Sequence, residues 1–163
     1  MPSTLDLVRD QDQCRFETGE PILRQGETTN RLYFLIEGTV EVLKDNVRVA
    51  SASEPGAVFG ELSALLKIPH SATVRAVKPC SFYVVTDPLA FLKNSPPLCL
   101  LVCELLAQRL DALNKYLVDV KTQFAGHDHL GMVDEVLEAL LHRTEKRRVR
   151  PPQSTIDQGQ LPD

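Results

Sequence analysis

The chain has 163 residues, 43% apolar and 25% charged, with 18 Lys plus Arg against 22 Asp plus Glu and a formal net charge of −4. This is the composition of one soluble domain that can bury a core without disulfides or metals, and its mild acidity argues against nucleic-acid binding by the whole domain. No apolar run approaches the roughly 20 residues of a membrane span, Met1 to Asp12 lacks a secretory pattern, and Cys14, Cys80, Cys99 and Cys103 are irregularly spaced, as expected of a cytoplasmic protein with reduced thiols.

The first two thirds read as β. Gly19-Glu20, Gly26-Glu27 and Pro55-Gly56 are turn signals at short intervals. Residues 32–37 form an aromatic and β-branched strand closed by Gly38. Residues 39–44 alternate, with Val40 and Val42 on one face and Glu41 on the other. Asp45-Asn46 is a tight-turn pair, and Val47 to Ala50 returns as the second arm of a hairpin. Further strands are predicted from Ser71 to Val77 and from Cys80 to Thr86, separated by Pro79. Many short strands with regular turns point to a sandwich, roll or barrel.

After Thr86 the pattern becomes helical. Asp87-Pro88 supplies an N-cap and a proline at the first helical position, for a short helix to about Asn94. A long helix follows over residues 98–124, free of Gly and Pro and ended by Gly126. A third helix is predicted from His129 to Arg143, with Leu130, Val133, Leu137, Leu140 and Leu141 on one face. Residues 151–163 read as a disordered tail. The expected organisation is therefore a domain over 1–125 that includes the long helix, an amphipathic helix with a basic end over 126–150, and the tail.

Cys99, Cys103, Leu106, Leu110, Leu113, Leu117, Val120 and Phe124 step by 4, 3, 4, 3, 4, 3 and 4, an unbroken a/d heptad. A second stripe, Leu98, Leu101, Val102 and Leu105, is confined to the first half of the helix. That half is expected to pack on the β body, while the seam pairs with a second copy in a parallel homodimer. The competing reading covers the seam with the third helix of the same chain. The narrow a/d stripe favours the dimer, because a stripe packed within one globular chain is usually wider.

The segment from Phe59 to Val74 carries the chemistry. It reads as a strand end, a glycine, a short helix, a proline loop and a strand. Gly60 allows close approach of a ligand to the backbone. Glu61 is placed to accept hydrogen bonds from hydroxyls, and Ser71 adds a donor. One short loop thus offers a carboxylate for a sugar diol and donors for a phosphate.

The pattern Phe59-Gly60-Glu61-Leu62, short helix, Pro69-His70-Ser71-Ala72-Thr73 resembles the phosphate-binding cassette of the cyclic-nucleotide-binding domain, as in bacterial cyclic AMP receptor proteins and protein kinase A regulatory subunits. Phe16-x-x-Gly19-Glu20, Gln25-Gly26-Glu27 and Tyr33-Phe34-Leu35-Ile36-Glu37-Gly38 resemble the family's first strands, and the likeness extends over residues 15–125. The resemblance implies a jelly-roll-like β-roll flanked by a long C-helix, here with one further helix. It implies a 3′,5′-cyclic nucleotide as ligand, cyclic AMP ahead of cyclic GMP, with no metal. Glu61 would take the ribose 2′-hydroxyl, the amides of Gly60 and Leu62 would hold ribose and phosphate, Ser71 with the amide of Ala72 would contact the phosphate, and Asn114 on the C-helix would lie near the base. It also implies signalling through the C-helix to a protein effector. The family's transcription factors add a winged helix, for which the residues after Ala125 leave no room, so direct DNA binding is not expected.

One position departs from the pattern. His70 stands where the family places an arginine, nine residues after Glu61. Imidazole offers one usable donor and a titrating charge instead of a fixed guanidinium. Losing a charged hydrogen bond worth about 1.5–3 kcal/mol weakens binding roughly 10- to 150-fold. Three outcomes are open. His70 protonates against the phosphate; or the amides, Ser71 and a cation such as Lys67 or Arg75 suffice; or the fold persists as a scaffold or dimerisation module that has lost nucleotide binding. A cupin-like enzyme is excluded at this level, because the β region holds His70 as its one histidine and a cupin metal site needs several.

Overall fold

The structure, a computed structural model, describes residues 2–125 and 131–141. Leu130 of the predicted third helix, the basic end from His142 to Arg150 and the tail 151–163 lie outside them.

Strand β3 (Leu32–Glu37) is buried at four successive positions, Leu32 to Leu35, rather than alternating. A strand covered on both faces has no solvated side to give to polar residues. Tyr33 and Leu35 point into one core with Phe82, Val40, Val74 and Ile22. Leu32 and Phe34 point into a second with Val58, Val85, Leu92, Leu98 and Val102. The first core lies between two four-stranded antiparallel sheets. One has the order β1 (Asp12–Phe16), β8 (Cys80–Val85), β3, β6 (Val58–Phe59); the other β2 (Pro21–Leu23), β7 (Thr73–Ala76), β4 (Val40–Lys44), β5 (Val47–Ala52). Four edge-on aromatic contacts fill the first core, with Phe82 in three of them. Helices α1 (Thr4–Val8), α3 (Pro88–Asn94) and the start of α4 (Pro96–Gln123) supply the second. This is the expected β-roll with C-terminal helices.

The hairpin β4–β5 turns at Asp45 and Asn46, both at positive φ (50° and 63°), as a tight two-residue turn requires. Gln25 pins it, donating from Nε2 to Asp45 Oδ1 at 2.8 Å and accepting from the Asp45 amide at 2.9 Å. Asp87 caps α3 through the Ala90 amide, with Pro88 at N1, as its sequence predicts. Helix α1 is an addition to that reading. Ser3 and Asp6 form a capping box, which lets a five-residue helix seat Val8 in the core.

The backbone falls into two compact units, Met1–Leu110 and Asp111–Asp163, with the boundary inside α4. In the first unit, Leu98 and Val102 of α4 are buried, and Leu105 and Leu106 pack at the edge of the second core. Of the stripe expected to face the β body, Leu98, Val102 and Leu105 do so, and Leu101 is only partly buried. In the second unit, α5 (Gly131–Leu141) falls within the predicted third helix, and Asp134 pairs with Lys121 near the end of α4. Leu113 and Phe124 of the seam nonetheless remain 45% and 48% exposed. No single described helix is long and apolar enough to cross a membrane.

Candidate functional site

Gly60 opens the site. It occupies the left-handed region (φ 91°) as N-cap of the short helix α2 (Glu61–Leu66) and passes close to the Arg31 carbonyl. Lys67, also left-handed, ends the helix, and the Ser63 hydroxyl donates to the Ile68 carbonyl at 2.6 Å. Residues Ser71 and Ala72, expected inside a strand, instead form a bend before β7. Between these two turns lies a pocket of about 430 Å³, within the usual size range for small-molecule sites. Gly60, Glu61, Leu62, His70, Ser71 and Ala72 all line it, so the structure brings together six of the seven residues expected from the sequence. Leu23, Val42, Val58, Phe59 and Val74 form an apolar wall, and Ala50, Ser51 and Ala52 of β5 complete it. Asn114 belongs to the second unit, further along α4.

Glu61 is 4% exposed, and the partner of its carboxylate is a side chain of α4 rather than an amide of its own helix. Its Oε1 accepts from Arg109 Nη1, while Arg109 Nη2 donates to the Val58 carbonyl at 3.2 Å. Arg109 was not among the expected site residues. A signal for it exists: it follows Leu98, Val102 and Leu105 at helical spacing, one turn beyond the last apolar residue of the stripe that packs on the β body. Among the described residues Oε2 has no side-chain or backbone donor, so one carboxylate oxygen remains for a hydroxyl.

His70 is 5% exposed. Its backbone is clamped to the Gly26 turn, its amide donating to the Glu27 carbonyl and its carbonyl accepting from the Gly26 amide, both at 2.9 Å. The ring is tied as well, Nε2 lying 2.8 Å from Thr29 Oγ1. Burial pushes the imidazole below its ordinary pKa, with the Glu27 carboxylate opposing in part. Protonation against a phosphate therefore runs against the environment of this ring. The cations considered as substitutes are placed elsewhere. Arg75 donates from Nε to Glu41 at 2.9 Å, and Lys67 is not among the residues lining the pocket.

A histidine with a depressed folded pKa binds fewer protons folded than unfolded. Its contribution to stability is complete above the unfolded value near 6.5 and is lost as pH falls below it. Urea midpoints are expected to drop between about pH 7.5 and about pH 5.5, and to drop less in His70→Asn. An equal drop in both proteins would remove His70 as the cause.

Residues 13–88 match the family model described as "Cyclic nucleotide-binding domain". The chain is 40% identical over 87 residues to a cAMP-dependent protein kinase regulatory subunit of Yarrowia lipolytica, covering 53% of this chain and 23% of that protein. It is 30% identical over 116 residues to the Cyclic AMP receptor protein of Thermus thermophilus, covering 67% of this chain and 54% of that one. The chain thus spans about a quarter to about half the length of these curated relatives. Among solved structures, the Thermus thermophilus Catabolite Activator Protein shares the fold, with a TM-score of 0.62 at 22% identity over 88% of this chain and 83% of that chain. With its two sheets and its cassette, and with the family model matching across residues 13–88, that segment of the chain belongs to the cyclic nucleotide-binding domain family.

Proposed function

We propose that this chain is a regulatory module whose pocket takes a 3′,5′-cyclic nucleotide, cyclic AMP ahead of cyclic GMP, and passes occupancy along α4 to a protein effector. The names of the relatives, a cAMP-dependent kinase regulatory subunit and a cyclic AMP receptor protein, support the ligand. The observation that carries the reading is the Glu61–Arg109 pair. It joins the carboxylate assigned to the ribose to the helix assigned to signalling. A ribose 2′-hydroxyl that competes for Glu61 changes the hold on Arg109, and so has different affinities for two positions of α4, which is what a ligand needs to shift it. Calorimetry with cyclic AMP and cyclic GMP tests the reading: binding that weakens at least tenfold in Glu61→Ala supports it, and no heat from a folded protein sinks it.

The same reading includes a homodimer through the α4 seam, whose Leu110, Leu113 and Phe124 stay exposed on the single chain. Light scattering is expected to give a dimer mass, reduced to a monomer by Leu110→Lys with Leu113→Lys. A monomer for the unaltered chain would remove the dimer while leaving the ligand reading in place. The free cysteines fit a cytoplasmic setting.

A further inference from the structure

Three residues lining the pocket can carry charge: Glu61, Arg109 and His70. The first two neutralise each other. His70 is buried, and its Nε2 is already engaged with Thr29. Arg75 is held by Glu41. The described lining therefore carries no free positive charge. What it does carry is a carboxylate oxygen for a diol, the exposed Ser71 hydroxyl, and an apolar wall broad enough for a ring system.

These groups suit one part of a nucleotide and not another. A cyclic phosphodiester keeps a full negative charge throughout the physiological range. Moving it from water into a pocket whose lining arginine is already paired with a carboxylate forfeits hydration that neutral donors replace poorly. A nucleoside presents the same base and ribose without that charge. Its 3′- and 5′-hydroxyls ask only for neutral partners, and the Ser71 hydroxyl both donates and accepts. We propose that the pocket is also a site for uncharged purine ribonucleosides, bound with an affinity within about tenfold of the matching cyclic monophosphate. The proposal rests on the pocket, ribose contact and α4 read-out of the preceding reading, and adds a second ligand class distinguished by charge.

The test is calorimetry on the full chain with adenosine, guanosine, cyclic AMP, cyclic GMP and 2′-deoxyadenosine. Adenosine or guanosine is expected to bind within about tenfold of its cyclic counterpart, and 2′-deoxyadenosine to bind more weakly than adenosine, having lost the hydroxyl for Glu61. Raising ionic strength should weaken the cyclic nucleotide at least as much as the nucleoside. In His70→Arg the cyclic nucleotide should gain roughly 10- to 150-fold over the nucleoside. Because position 70 is buried, thermal unfolding first establishes that this variant folds; if it does not, displacement of a fluorescent adenosine by unlabelled adenosine and cyclic AMP on the unaltered chain decides the affinity ratio. A cyclic nucleotide that binds more than tenfold tighter than its nucleoside overturns the proposal and leaves the cyclic-nucleotide reading standing. Nucleoside binding without cyclic-nucleotide binding does the reverse. Binding of neither overturns both.

Discussion

Gly60→Ala is expected to destabilise the protein by about 2–5 kcal/mol, from a left-handed backbone strain of about 1–2 kcal/mol and an overpacking cost of about 1–3 kcal/mol. The φ of 91° lies in a region that L side chains rarely adopt. A Cβ there would also sit 2.5 Å from the Arg31 carbonyl oxygen. That neighbour is main chain, so it cannot rotate away as a flexible side chain would. Relief requires moving either the start of α2, which borders the pocket, or the segment before β3. Denaturant unfolding measures the cost. A loss under about 1 kcal/mol, no more than an average substitution, would show that the turn is softer than its geometry indicates.

Arg109→Met is the second substitution with a large expected effect. It leaves Glu61 in a site where the side chain is only 6% exposed, with no counter-charge, and takes a donor from the Val58 carbonyl. The expected loss is about 1–3 kcal/mol, the cost of an unsatisfied buried acceptor. The Arg109 side chain is 46% exposed, so the loss should fall short of the roughly 3–5 kcal/mol seen for fully buried pairs. Glu61→Gln combined with Arg109→Met should recover part of it, because the amide brings no charge to neutralise. A double-mutant cycle in urea reads the coupling, and strictly additive single effects would show that the two side chains do not interact. The same variant tests signalling. Ligand should change hydrogen exchange along α4 in the unaltered protein and have little effect there in Arg109→Met. An unchanged response would move the read-out to another contact.

Much of the fold was legible because it is written in local patterns. The buried run at Leu32 to Leu35 marks a strand covered on both faces, Asp45-Asn46 marks a hairpin turn, and Asp87-Pro88 marks a helix start. Each signal lies within a few residues of the structure it specifies. The cassette is legible for the same reason: Gly60 to Leu62 and His70 to Ala72 are close in sequence and meet across one short helix and loop. Helix α1 was also written locally, as the Ser3 and Asp6 capping box, but it is only five residues long and shows little apolar periodicity.

By itself, the sequence determined the β-roll, the order of its helices and six residues of the pocket. It also exposed the exchange that makes the site unusual, histidine in place of arginine at position 70. What only the tertiary structure decided is the electrostatic state of that pocket. The partner of Glu61 lies 48 positions away on α4, and the hydroxyl that engages His70 lies 41 positions away at Thr29. Spacing rules reach neighbours on one helix or strand. A charge's partner and a ring's burial depend on which distant elements pack together, and that is set by the shared core beneath them. The composition shows charges of both signs along the whole chain; the fold places one carboxylate, its guanidinium and a shielded imidazole around a pocket whose described charged groups cancel.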